Sequence, residues 1–141
     1  MIKKCKCFAL ILISLITLIC CGCSRKNNQY ILINNSDYPS FFDDYKIDKG
    51  NVFFYCHIYV ENKSKKDESV KIIGDFDKDQ KSGLLKKQHL VAYNCDDLKN
   101  SDFYLKPGIN ELNVVFIGEK GVYDRKADRD LPEITFQETD A

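Results

Sequence analysis

The chain has no tryptophan, one methionine and three prolines among 141 residues, and no surplus of either charge: 21 Lys and Arg stand against 21 Asp and Glu. Scarce proline implies no long disordered tract apart from a short tether. Without a basic surplus there is no clustered positive footprint of the kind that binds nucleic acid, and the same balance argues against a polybasic grip on anionic lipid. No Gly-rich phosphate loop, nucleophile elbow or metalloprotease helix motif occurs. The reading is therefore a non-enzymatic chain with no cofactor. No internal repeat is present, and beyond residue 22 there is no second long apolar run.

The first two dozen residues are the most informative stretch. Lys3, Lys4 and Lys6 precede an apolar or small run from Phe8 to Cys21, and Gly22-Cys23-Ser24 leads into the polar Arg25-Lys-Asn-Asn-Gln29. A basic head, a short apolar core and a small-residue exit are the parts of a secretory signal. The run is too short for a hydrocarbon core that takes roughly 20 helical residues to cross. Cys20-Cys21-Gly22-Cys23 resembles the lipobox of bacterial lipoproteins, in which a small residue precedes a cysteine that accepts a diacylglyceryl group and becomes the mature N-terminus. Gly22 makes Cys23 the better acceptor, although Cys20 stands where an aliphatic residue is usual. Cys21, with Leu18 three places before it, is the alternative. An ordinary cleaved signal with incidental cysteines and an uncleaved anchor also remain open. The resemblance implies a fatty-acylated protein, palmitate-type, on the extracytoplasmic face of a bacterial plasma membrane. Two acyl chains suffice for stable attachment where one is marginal.

Cleavage before Cys23 removes three basic and no acidic residues, so the remainder carries a formal charge of 18 − 21 = −3. The expected organisation is a signal peptide over 1–22, a tether over 23–40 and one domain over 41–141. About 100 residues suffice for a single core. Tyr30-Ile-Leu-Ile33 interrupts the tether and reads as a short first strand or a hydrophobic clasp.

From residue 41 the pattern is strand, turn, strand. Phe42–Ile47 ends at the turn cluster Asp48-Lys-Gly-Asn51. Val52–Val60 is the clearest strand, all β-branched, aromatic, Cys or His. Ser69–Phe76 follows a charged loop, then Leu84-Leu85, Leu90–Cys95, Phe103–Leu105, Asn110–Ile117 and Ile134–Gln137. About seven strands at this spacing predict an all-β, antiparallel two-sheet sandwich. The layout resembles the small immunoglobulin-like domains found behind lipoprotein signals in low-GC Gram-positive bacteria. Phe54–Ser64 and Leu105-Lys-Pro-Gly-Ile-Asn-Glu-Leu-Asn-Val-Val-Phe-Ile-Gly118 carry that resemblance. It departs from antibody-type domains, which place a tryptophan between their paired cysteines.

Candidate chemistry is sparse. Cys56 and Cys95 remain after processing, and an even pair outside the membrane reads as a disulfide, with two buried free thiols as the alternative. Cys56, His57, His89 and Cys95 are zinc-ligand types, but neighbours on a strand point to opposite faces, which also weakens a Cys56–His57 nucleophilic pair. Asp75, Asp77 and Asp79 alternate like the start of a calcium loop, yet Gln80 and Lys86 stand where such a loop wants Gly and Glu. A solvated loop is the better reading there, as it is for Asp124–Asp130. The sequons Asn34-Asn-Ser36 and Asn62-Lys-Ser64 carry no weight.

Phe53, Tyr55, His57 and Tyr59 share the face of the best strand opposite Phe54, Cys56 and Ile58. An aromatic row there is either an exposed interaction strip or a surface over which residues 30–42 fold. The expected function is a membrane-anchored cell-envelope lipoprotein acting as a binding module for an envelope protein or glycan. The alternative is a small-ligand or calcium-binding lipoprotein.

Overall fold

The computed structural model describes residues 28–123 and 130–139. The leader, Cys21, Cys23 and residues 124–129 lie outside the described residues, and so do the lipidation and signal-peptide expectations. Eight strands and one short helix make up the described chain: β1 Tyr30–Ile33, β2 Phe41–Asp48, β3 Asn51–Asn62, β4 Glu68–Asp75, α1 Asp77–Lys81, β5 His89–Asn94, β6 Phe103–Leu105, β7 Gly108–Glu119 and β8 Glu133–Glu138. None of the described helices is long and apolar enough to cross a membrane.

All pairings are antiparallel, and the protein is the all-β, two-layered sandwich the alternation predicts. In the first layer β3 is central. β7 runs along one edge over its full length, from Asn51↔Glu119 to Asn62↔Gly108, while β2 and then β1 share the other. In the second layer β4 takes β8 on one edge and β5 and β6 on the other. Strand β5 joins the layers, since Ala92–Asn94 pair with β7 while His89–Val91 pair with β4. The layers are therefore continuous at one corner and approach a barrel.

Alternation along β3 decides what goes inside. Val52, Phe54, Cys56, Ile58 and Val60 are all buried, against Val114 and Phe116 of β7 and Val70 and Ile72 of β4. Phe76 sits between Phe54 and Phe116 at ring separations of 4.6 and 5.3 Å. Room for that stack comes from Gly74, where an added Cβ would lie 2.7 Å from Phe76 and 2.9 Å from Phe116. The β2–β3 hairpin closes on Lys49-Gly50, both with positive φ (47° and 79°), as a two-residue turn matched to strand twist requires.

Three sequence expectations change. Residues 30–40 belong to the fold and are not tether. Tyr30 is core-facing, packs on Phe136 of β8 at 6.1 Å and donates its hydroxyl to Glu138 at 3.1 Å, clasping the two layers together. Asp77–Lys81 is a helical turn, closed by Gln80 N–H to the Phe76 carbonyl and Ser82 N–H to the Lys78 carbonyl. Leu84 and Leu85 form no strand of their own. They plug one end of the core, with only a single bridge from Leu85 to Lys120.

Asn62 is the notable buried polar group. Its side-chain amide donates to the Lys66 and Leu105 carbonyls at 3.0 Å each, and its Oδ1 accepts from Ser64 N–H at 2.9 Å. The β3–β4 and β6–β7 connections are thereby tied to each other. The residue matched a sequon in sequence, but its amide is fully committed inside the protein.

Candidate functional site: the outer aromatic face of the first layer

Because side chains alternate on a strand, the residues between the core positions of β3 all face outward. Phe53, Tyr55, His57, Tyr59 and Glu61 are half-buried. The register sets their neighbours. Phe53 stands between Lys46 and Ile117, Tyr55 between Asp44 and Val115, His57 between Phe41 and Asn113, and Tyr59 between Ile33 and Glu111. Val115 pairs onward with Tyr93 of β5. It is fully buried although it points away from the core, so the rings beside it shield it from water. The face is thus wider than one strand. Its β7 and β5 members, Val115, Ile117 and Tyr93, went unnoticed in the sequence. The signal was there: Val115 and Ile117 occupy the outward parity of β7, where Glu111 and Asn113 are polar.

Residues before β3 fold against one half of this face. Asn35 Oδ1 accepts from the backbone N–H groups of Asp37 and Tyr38 at 3.0 and 2.9 Å, a tight turn that sets Tyr38 edge-on against Tyr59 at 5.4 Å. The buried Ser40 hydroxyl donates to the Ile33 carbonyl and accepts from Tyr59 N–H, bridging the gap where β1 ends and β2 begins. Phe41 then stacks on His57 at 5.2 Å. A bulge between Phe42 and Asp44 resets the alternation, so Phe42, Tyr45 and Ile47 pack against the core while Phe41 stays outside. Tyr38 and Phe41 remain 37% and 44% exposed. They extend the aromatic surface and do not seal it.

His57 is held at both ring nitrogens. Nδ1 lies 2.7 Å from Asn113 Oδ1 and Nε2 lies 3.1 Å from Glu111 Oε1. Burial and the Glu111 carboxylate hold the Tyr59 phenol above its ordinary value. The result is a polar-aromatic cluster held by hydrogen bonds at one end of the face and a more apolar surface, Phe53, Tyr55 and Ile117 over the buried Val115, at the other.

The two cysteines among the described residues, Cys56 and Cys95, are free thiols, in line with the free-thiol alternative and not with the bridge. Cys56 is opposite Val114, and Val114 is opposite Asn94, the residue before Cys95. Strands β3 and β5 therefore flank β7, about 9–10 Å apart at the usual spacing, whereas a disulfide needs Cα atoms within about 7 Å. Burial, with lesser contributions from Cys95 and Asp43, pushes the Cys56 thiol up to about 12, and burial likewise raises Cys95. Raised thiols are poor nucleophiles.

No group of three His, Cys, Asp or Glu side chains among the described residues is placed to hold a metal. Cys56 and His57 point to opposite faces, and His89 lies on β5 with its Nε2 3.8 Å from Asp75. Asp75, Asp77 and Asp79, the lesser calcium alternative to a solvated loop, are likewise engaged in other contacts. Asp75 Oδ1 accepts from Asp77 N–H and Gln88 Nε2, both at 3.0 Å, and Asp77 pairs with Lys81 one helical turn on at 2.8 Å. These carboxylates start a helix and do not converge.

No family model, no curated protein and no solved structure matches this chain. A cleft of about 240 Å³, lined by Asn94, Cys95, Asp96, Phe103 and residues 111–113, adjoins the aromatic face through Glu111 and Asn113.

Proposed function

We propose that the protein is a lipid-anchored lipoprotein of the bacterial cell envelope, acylated at Cys23 and displayed on the extracytoplasmic face of the plasma membrane. There it serves as a non-enzymatic interaction module for an envelope protein or glycan. The observation that carries the reading is the outer face of β3. Four aromatic or imidazole side chains in a row, widened by Tyr38, Phe41 and Ile117, lie on the side of the sheet away from the core. Solvent-facing sides of antiparallel sheets are ordinarily polar, and contiguous apolar surface marks sites of association. The raised thiols and the committed nitrogens of His57 favour binding over nucleophilic chemistry.

The test is site-specific photocrosslinking in cells that naturally make the protein. A photoreactive residue in place of Tyr55 is expected to give a discrete adduct with an envelope protein or glycan, and one in place of Gln137 on β8 is not. Equal adducts from both positions, or none from Tyr55, would remove the interaction-module reading.

Small-ligand binding is the second reading, favoured by the cleft beside Glu111 and Asn113. Its volume falls short of the roughly 300–1,000 Å³ typical of ligand pockets, which is why the flat face is preferred.

A further inference from the structure

We propose that the free edge of β2 accepts an extended, basic segment of a partner protein as an added strand. This surface is separate from the aromatic face, and the inference rests neither on that face nor on the lipid anchor.

The sandwich is joined on one side only. Strand β5 links the layers at one corner. On the other side the first layer ends in β1 and β2 and the second in β8, and no strand pairing connects them among the described residues. Tyr30 on Phe136 crosses this gap at one end. Half-buried apolar side chains gather along it: Leu32, Phe42, Tyr45 and Ile47 from the first layer, Ile134 and Phe136 from β8. Strand β2 pairs with no strand but β3 among the described residues, and past its bulge Asp44–Asp48 keeps an unbroken register with Tyr55 to Asn51. An unpaired edge is a template for another chain, and extended segments are recognised by joining one. A strand laid there sets alternate side chains beside Tyr45 and Ile47 and the others on the outer side, beside Asp44, Lys46 and Asp48.

Charge selects the occupant. Asp37, Asp43, Asp44 and Asp48 lie on or just before β2, and Asp130, Glu133 and Glu138 on or just before β8. These seven carboxylates face one cation on the same segments, Lys46. The remaining described residues are balanced, with eleven carboxylates and twelve lysines. The negative charge of the described chain is therefore concentrated on the open side. Lys49 in the adjoining turn does not reverse that balance, and Lys71, on the strand beside β8, is already paired with Asp102 at 2.8 Å. Lys46 lies 3.8 Å from Asp48, and Glu138 accepts from the Tyr30 hydroxyl. Asp37, Asp43, Asp44, Asp130 and Glu133 have no cationic partner among the described residues. A second copy docking here would bring like charge against like charge, whereas a basic segment is drawn in.

The experiment titrates a fluorescent peptide, alternating valine and threonine with two lysines at each end, onto the full chain in neutral detergent. Anisotropy reads binding and backbone hydrogen exchange reads its place. The lysine peptide is expected to bind and to slow exchange over residues 44–48 about fivefold. Glutamates in place of its lysines should abolish binding, and prolines in place of its threonines should remove most of it, because proline cannot donate to a ladder. Asp43→Asn combined with Asp44→Asn should weaken the lysine peptide about tenfold, and Lys46→Gln should tighten it. High salt should weaken it as well. No binding by about 1 mM peptide would overturn the proposal, as would equal affinity for the glutamate or proline peptide, or unchanged exchange over residues 44–48. A dimer in sedimentation whose amides at 44–48 are protected without peptide would also overturn it, since a second copy would then hold the edge.

Discussion

His57 of β3 and Asn113 of β7 stand directly opposite each other in the sheet register, and their side chains meet at 2.7 Å on the outer face, not in the core. Glu111, two residues earlier on the same face of β7, takes the other imidazole nitrogen at 3.1 Å. A sheet surface with pinned rings is a preorganised one. Replacement His57→Leu removes both polar contacts but none of the core. It is expected to cost only about 0.5–1.5 kcal/mol in urea unfolding, while the adduct from a photoreactive residue at position 55 falls. A large stability loss would mean that the cluster serves the fold.

Asn62 should behave in the opposite way. Replacement by Ala leaves the buried Leu105 carbonyl without its side-chain donor, whereas the Lys66 carbonyl keeps the Ser64 hydroxyl at 2.8 Å. Each buried group left unpaired costs about 1–3 kcal/mol. A loss of about 1–3 kcal/mol is expected in denaturant titration, with unchanged strand content in the variant that remains folded. A loss under 1 kcal/mol would show that water replaces these bonds.

The free thiols make a redox prediction. Reductant should leave the thermal midpoint unchanged, and an aromatic disulfide reagent should modify Cys95, half-exposed, well before Cys56, which is 3% exposed. A large fall of the midpoint with reductant would restore the bridge.

Alkaline pH supplies an independent check. The Cys56 thiol rises from an ordinary 9.0 to about 12 in the folded protein through burial. Burial and Glu138 also raise the Tyr30 phenol above its ordinary range. Both groups are neutral when protonated, and the unfolded chain releases their protons first. Their contribution is therefore intact below about pH 9 and declines as pH rises toward 12 and beyond. Cys56→Val and Tyr30→Phe should each flatten that decline in urea midpoints measured from pH 8 to 11. A slope unchanged in both variants would contradict the assignment.

Gly74 lacks room for a methyl group beside Phe76 and Phe116. Gly74→Ala is expected to destabilise by about 1–3 kcal/mol through overpacking, whereas Asp77→Ala at the start of α1 should change stability by about 1 kcal/mol or less, with or without millimolar calcium. A calcium-dependent midpoint that Asp77→Ala abolishes would reinstate a cation site.

The strand content was legible because one side of each layer must be apolar. Val52–Val60 and Asn110–Ile117 announce themselves through that two-residue period, and both lie within observed strands. The helix at Asp77–Lys81 was not legible: five polar residues show no apolar periodicity, and backbone bonds around Phe76 and Ser82 hold them helical together with the Asp77–Lys81 pair. The role of residues 30–40 was half legible. Tyr30–Ile33 looks like a strand, but nothing local says that it pairs with the end of β3 and clasps β8.

Taken alone, the order of side chains determined the outward parity of Phe53, Tyr55, His57 and Tyr59, since a strand offers only two faces. It also marked a turn within Asp48–Asn51 and the separation of Cys56 from His57. The tertiary structure alone decided what stands beside those residues. Whether two cysteines bridge, whether three aspartates converge and which β7 side chains flank the aromatic face all depend on strand order and register. Those are set by contacts between residues far apart in the chain, where local periodicity carries no information.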